Sequence, residues 1–380
     1  MPLRLKLALS YLFIGLFPVL AMALTVYWQA SKALQEQTLN SLEAVANIKQ
    51  AQLLDNLQAR RDQLSTLANN LGTSYGGLTG MALVSASNYD RPIYENFIQT
   101  YGYRELKLIA SDGTVIFSVL RGDDYQQNLT QGAWRELPMG KLASAGLNRQ
   151  ASLISDLTIN PQTGEPSQFL ISPVISEGEL IALLMLELPI APLNSVMQTR
   201  QGLGDAGETY LVGADGLLRS DSARFSEHKV QRTEQRPSAL QGDAITRALN
   251  GEQGQLAETG LNGQPALKAF VPLEFDGQHW ALIAEMDQAQ AFAPVHELMW
   301  QILLLALLTI AAVLFATWLV SRSVMRPLGG EPGTMAQLAQ RLAAGELRIT
   351  QQPGQGNGLM HALQDMANAW RVVIEQLRQA

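Results

Sequence analysis

The chain has 380 residues, enough for two or three domains rather than one small core. Its composition is 47% hydrophobic and only 16% charged, against about 25% charged in an ordinary soluble domain, which excludes a uniformly solvated chain. The net charge of −7 is unevenly spread: the two ends together carry +4 and the middle −11. An acidic middle excludes a nucleic-acid surface, because phosphate binding needs clustered cations. With no cysteine, disulfides and thiolate metal sites are excluded as well.

The missing charges are explained by two segments. Residues 7–28 and 298–320 contain no charged residue, and about 20 residues of helix cross the hydrocarbon core of a bilayer. Tyr27 and Trp28 on the first, with Trp300 and Trp318 on the second, are interfacial aromatics. Arg4 and Lys6 precede the first segment; Arg322 and Arg326 follow the second. The positive-inside rule then places residues 1–6 and 321–380 in the cytoplasm and residues 29–296 outside. A cleaved signal peptide is the alternative for the first segment, with Ala21-Met22-Ala23 as its cleavage site. The apolar run continues past it to Trp28.

Residues 29–71 lack proline and glycine. Leu53, Leu57, Leu64, Leu67 and Leu71 follow steps of 4, 7, 3 and 4, the seam of one long helix ended by Gly72. That seam serves either its own domain or a helix in a second copy. Beyond it the pattern turns to strands. Asp112-Gly113 and Asp215-Gly216 each stand between apolar runs as hairpin turns. Later hairpins carry Pro173 and Gly178, then Pro272 and Gly277. The offsets are 103 and 99 residues, which predicts a duplicated module of antiparallel strands, about 72–191 and 192–290.

The order of long helix, two such sheets and a second apolar span resembles the double Cache sensor of bacterial chemoreceptors and sensor kinases. Gly202–Ser222, Asp124-Tyr125 with Asn128-Leu129, and the run 155–174 carry the resemblance. It implies an α+β fold with two PAS-like antiparallel-sheet modules outside, two transmembrane helices and a helical bundle inside. It also implies a small-molecule ligand in the first module, between the sheet and its insertions at about 122–166. Candidate ligand contacts there are Tyr101, Tyr103, Asp124, Tyr125, Asn128, Trp134, Arg135 and Asp156. Aromatics would give shape, Arg135 would pair with a carboxylate, and Asp124 or Asp156 would hold an ammonium. Amino-acid-binding members have an aspartate shortly before the Thr-Gly turn; here Asn160 precedes Thr163-Gly164, and an amide does not neutralise an ammonium.

Inside, Met335, Leu338 and Leu342 form a short seam, and Leu359, Leu363, Met366, Trp370, Val373 and Leu377 a longer heptad seam. Two such helices on a Gly-rich connector pair naturally as a four-helix homodimer. The block resembles a HAMP linker like that of methyl-accepting chemotaxis proteins, through Pro327, Gly329–Pro332 and Gly345-Glu346-Leu347. Pro327, Glu346, Leu359, Leu363, Met366 and Trp370 are the expected relay residues; a plain coiled coil is the alternative. No output domain follows in this sequence, so the chain is expected to be either part of a longer receptor or a natural short form that needs downstream signalling partners.

Chemistry is poorly supported. Gly202–Gly207 spells GxGxxG, but a strand rather than a helix follows, which predicts a turn. The four histidines are scattered, and no HExxH or GxSxG motif occurs. The expectation is a non-enzymatic receptor of the bacterial inner membrane, without cofactor or metal. A membrane adaptor for a periplasmic protein, or a receptor part of the sensor-kinase or cyclase type, is the alternative.

Overall fold

The computed structural model describes residues 3–204, 207–230, 239–328, 332–344 and 358–379. The chain divides into two compact units: Leu34–Phe292, and Met1–Ala33 with Ala293–Ala380.

Helix α1 runs without a break over Leu3–Ser74. After it come α2 (Gly80–Tyr89), α3 (Arg91–Tyr101), β1 (Glu105–Ala110), β2 (Val115–Ser118) and α4 (Pro138–Arg149). Then follow β3 (Leu153–Ile154), β4 (Thr158–Ile159), β5 (Pro166–Ser176) and β6 (Glu179–Pro189). The first sheet is antiparallel in the order β2-β1-β6-β5-β3, with β4 also on β5. Next are α5 (Ala191–Gln198), β7 (Gly207–Gly213), α6 (Asp243–Leu249), β8 (Gly254–Thr259), β9 (Pro265–Phe275), β10 (Gln278–Asp287) and α7 (Gln288–Ala291). The second sheet has the order β7-β10-β9-β8. The fold is α+β, as expected.

Alternation along the strands gives each sheet two buried faces. One face of the first sheet (Leu106, Leu108, Phe117, Leu170, Leu184, Leu186) packs on Leu57, Leu64, Ala68 and Leu71 of α1 and on Tyr94 and Ile98 of α3. The opposite face (Ile109, Ile171, Leu183, Met185) packs on Met139, Leu142 and Ala143 of α4. The second sheet repeats the plan. Leu211, Leu267, Ala269, Val271, Leu282 and Ala284 meet Leu42, Ala46 and Leu53 of α1, while Tyr210, Val212, Phe270 and Ile283 meet Ala244, Ile245 and Ala248 of α6. The leucine seam of α1 is therefore spent on the two sheets of its own chain.

Gly72 does not end the helix, which continues to Ser74. A Cβ at Gly72 would lie 2.2 Å from the carbonyl oxygen of Ile175, so this glycine admits the β5–β6 hairpin against the helix. Asp112-Gly113 joins β1 to β2, and Gly113 has φ +92°. Asp215-Gly216 makes a smaller hairpin: after the turn only Leu218 bridges back, to Val212. The turns at Gly178 and Gly277 join β5 to β6 and β9 to β10. Gly202 and Gly204 of the GxGxxG run have positive φ and lead towards β7.

In the other unit, α8 covers Ala293–Leu328, α9 Pro332–Ala343 and α10 Leu359–Gln379. Among the described residues, two helices are long and apolar enough to cross a membrane: α1 through its segment beginning at Leu12, and α8 over Ala293–Leu319, with mean hydropathies of 1.7 and 2.6. Pro327 lies in the last turn of α8. Glu346 lies outside the described residues.

Candidate ligand-binding site

The α4 face of the first sheet is apolar at one end and polar at the other. Because residues i and i+2 of a strand share a face, Glu105 and Lys107 on β1 point the same way as Ile109. The register sets Glu105 opposite Glu187 and Lys107 opposite both Met185 and Ser118. All of these are buried. The segment after β2 brings Asp124 onto Lys107 as a buried ion pair, and the Asn160–Gly164 turn brings Asn160 and Gln162.

Around Glu187 the network is closed. Ser167 Oγ donates to Glu187 Oε1 at 2.6 Å, Asn160 Nδ2 at 3.0 Å and Arg104 Nη1 at 3.3 Å. Glu105 accepts from the backbone N–H groups of Leu106, Val119 and Leu120 and from Ser118 Oγ. Burial raises its carboxyl above the ordinary range, with Lys107 the main opposing influence.

Around Asp124 the network is open. Asp124 is 0% exposed, its Oδ2 accepts from Lys107, and its Oδ1 has no hydrogen-bond partner among the described residues. Gln162 Nε2 and Thr158 Oγ1, from the neighbouring turn and from β4, are buried and unpartnered too. Gly122 lies between: a Cβ there would stand 3.2 Å from Asp124 Oδ1 and 3.4 Å from Gln162 Oε1. One bare acceptor and two groups able to donate, all buried, carry a desolvation cost of about 1–3 kcal/mol each until a partner arrives.

Of the eight residues expected here, Asp124 alone joins this cluster. Tyr125 and Trp134 pack beside it on the apolar end of the same face. Asn128 builds its own loop, donating to Asp112 O at 2.8 Å and accepting from Thr130 N at 2.9 Å. Arg135 is exposed on a short 3-10 turn. Tyr103 lies on the opposite, α1-facing side and donates to Gln63 Oε1 at 2.7 Å. Tyr101, half exposed, joins it through Phe97. Asp156 is drawn to the second sheet: Arg219 Nε and Nη2 donate to its two oxygens at 2.8 and 2.7 Å, and Trp280 Nε1 donates to Oδ1 at 2.8 Å. With both oxygens so engaged, Asp156 clasps the sheets together and does not face the polar end. Glu105, Lys107, Thr158, Gln162, Ser167 and Glu187 are the members that sequence reading missed. The signal for the first two was two charges at i and i+2 inside an apolar strand.

A family model described as Cache domain matches residues 30–295, and the chain belongs to this family, in its double Cache form. The probable chemoreceptor y4sI of Sinorhizobium fredii (strain NBRC 101917 / NGR234) is 23% identical over 211 residues. Those residues are 54% of this chain and 25% of that protein, so the match spans about a quarter of the curated relative. Similar solved structures include the ligand-binding domain of the Pseudomonas aeruginosa PAO1 amino acid chemoreceptor PctB in complex with L-Arg, at 17% identity and TM-score 0.48, covering 68% of this chain and 98% of that one. Another is the ligand-binding domain of the Pseudomonas fluorescens chemoreceptor CtaA in complex with L-isoleucine, at 15% identity and TM-score 0.47, covering 69% and 97%.

Proposed function

We propose that this chain is the sensing and membrane-spanning part of a non-enzymatic signal receptor, used in chemotaxis. A small polar molecule binds at the polar end of the first sheet. The carrying observation is the buried, unpartnered Asp124 Oδ1 beside Lys107, with Gln162 Nε2 and Thr158 Oγ1 equally bare. These groups ask for a ligand with an N–H or O–H donor for Asp124 and an acceptor for Gln162. The unit Leu34–Phe292 lies outside the inner membrane, and both termini are cytoplasmic, by the flanking cations.

Binding shifts the balance between two arrangements of α1 and its sheets only by the difference in affinity for the two. The change passes through α8 to α9 and α10, acting as a HAMP relay in a homodimer and on to downstream signalling partners. In a single copy Leu359, Met366 and Trp370 of α10 are exposed, Trp370 by 59%, and Leu363 is half-buried. An apolar stripe left bare in this way supports pairing with a second copy.

Calorimetric titration of the full chain with a panel of small polar metabolites tests the reading. At least one member is expected to bind the parent with a Kd in the micromolar range, about −8 kcal/mol. Asp124→Asn is expected to weaken that binding at least tenfold. A panel member that binds the parent and Asp124→Asn equally would remove the site from this end of the sheet.

A further inference from the structure

The two sheets carry matching polar ends, with Glu105 opposite Glu187 in the first and Glu208 opposite Glu285 in the second. A short segment of the first sheet reaches across to the second. It comprises β3, β4 and the start of the turn after them, residues 153–162. Ile154 faces Leu170 of β5, and Thr158 faces Ser167. Residues 155–157 therefore span only two residues of β5. Ser155 keeps the register, its N–H donating to Phe169 O at 2.8 Å. Asp156 and Leu157 then stand together opposite Gln168, the two-against-one count of a β-bulge, which bends a strand and re-aims its side chains.

What the bulge turns out, the second sheet takes. Asp156 receives Arg219 and Trp280 on its two oxygens, and Leu157 is buried in the α1-facing core of the second sheet. Ile154 N donates at 2.7 Å to Asp276 Oδ2, in the turn between β9 and β10. The second sheet is shaped for this contact at Gly213 on β7, where a Cβ would lie 2.3 Å from Arg219 Cζ. A side chain there would displace the guanidinium that holds Asp156.

The other end of the segment belongs to the polar cluster of the first sheet. Thr158 Oγ1 and Gln162 Nε2 are buried there and bare among the described residues. Thr158 follows Asp156 by two residues, a reach of at most about 7 Å of chain, and no helix or turn lies between them to absorb a displacement. A hollow of about 30 Å³, lined by Leu157 and by Gln168 opposite it, loosens the packing that would otherwise lock the clasped end in place. One end of the segment thus has its polar groups satisfied while the other keeps two bare. A partner that draws Thr158 or Gln162 pulls against Asp156.

We infer that residues 153–162 are a strap that couples the polar end of the first sheet to the second sheet. A displacement of Thr158 and Gln162 is carried through the bulge to the hold of Asp156 on Arg219 and Trp280, and release of that hold frees Thr158 and Gln162 in turn. As a signalling device the strap rests on the reading that the polar end of the first sheet is the ligand site. It gives binding there a path to the second sheet that does not run through α1.

Fluorine resonances of the full chain in detergent, with 5-fluorotryptophan in place of tryptophan, test the outward direction, and Trp280 is assigned by its loss in Trp280→Phe. Thr158→Val and Gln162→Leu are expected to shift the Trp280 resonance beyond its linewidth, while Asn128→Ala, in a loop of the same sheet, leaves it in place. Hydrogen exchange tests the return direction. Arg219→Met is expected to speed exchange of the amides of residues 158–162 about tenfold without changing that of residues 105–110. Trp280→Phe carries the decision if Arg219→Met fails to fold by circular dichroism. A Trp280 resonance unmoved by both Thr158→Val and Gln162→Leu, or moved as far by Asn128→Ala, overturns the inference. So does exchange at residues 158–162 that stays unchanged or rises no more than at residues 105–110. Neither measurement uses a metabolite, so failure here leaves the ligand site to its own titration, and failure of that titration leaves the strap as a link between the sheets.

Discussion

The two sheets share a backbone plan and a pair of facing glutamates, yet they balance that charge differently. In the first, the cation is Lys107, two residues after Glu105 on the same strand, and Asp124 reaches it from a loop. In the second, that strand position is Tyr210, and the cation is Lys268 on β9, where the first sheet has Phe169. Moving a cation across the sheet keeps the glutamates tolerable but changes which acceptor stays bare: Asp124 Oδ1 in one, Glu208 Oε1 in the other. A duplicated scaffold can thus leave different buried acceptors without a partner while its strands keep the same plan.

The largest effect should come from removing the first cation. Lys107→Met leaves Asp124 buried without a partner and Glu105 without its neighbouring cation, and is expected to cost about 3–5 kcal/mol in denaturant unfolding. Adding Asp124→Leu should recover most of that loss. The matching change in the second sheet, Lys268→Met, should cost less, about 1–2 kcal/mol, because Glu285 keeps Tyr210 and Leu261 and Glu258 is partly exposed. Equal losses would mean that the two ends are balanced alike.

Next is the clasp between the sheets. Asp156→Ala removes the acceptor shared by Arg219 and Trp280 and should cost about 1.5–3 kcal/mol. Unfolding followed at Trp280 should then separate from unfolding of the first sheet; a single coincident transition would show that the clasp does not couple them.

A third handle is Lys49 of α1, whose ammonium donates to Val196 O, Met197 O, Thr199 O and Thr209 Oγ1 at 2.7–2.9 Å. Burial lowers it to about 8 from the usual 10.5. Since the unfolded chain holds this proton more tightly, stability should rise between about pH 8 and 10.5. Lys49→Met should abolish that rise and cost about 1–3 kcal/mol at pH 7, because the carbonyls lose their donor. The smallest effect concerns Glu208. Its raised carboxyl binds a proton more tightly when folded, so it should make stability fall as pH climbs above about 4.5. Glu208→Gln should flatten that slope.

Much of this architecture was legible because it follows from period and turn chemistry. Uncharged runs of span length, the leucine spacing of α1 and the two Pro–Gly hairpins mark helices and strands directly. Two things were not. Gly72 looked like a helix stop because its real reason, the Ile175 carbonyl, is 103 residues away. Asp156 looked like a ligand contact because its partners lie 63 and 124 residues further on. The site itself was half visible. Asp124 stood in a recognisable loop, while Glu105 and Lys107 were hidden in a strand whose apolar alternation reads as ordinary core. Tyr101 and Tyr103 are near them in sequence, but Tyr103 falls on the other face of the sheet, where α1 claims it.

Hydrogen exchange of the full chain, with and without the metabolite that calorimetry selects, tests the central claim most directly. Slowed exchange is predicted for the backbone amides of residues 122–125 and 158–162, with Asp124→Asn abolishing it. Protection confined to other segments, or unchanged by Asp124→Asn, would contradict the account.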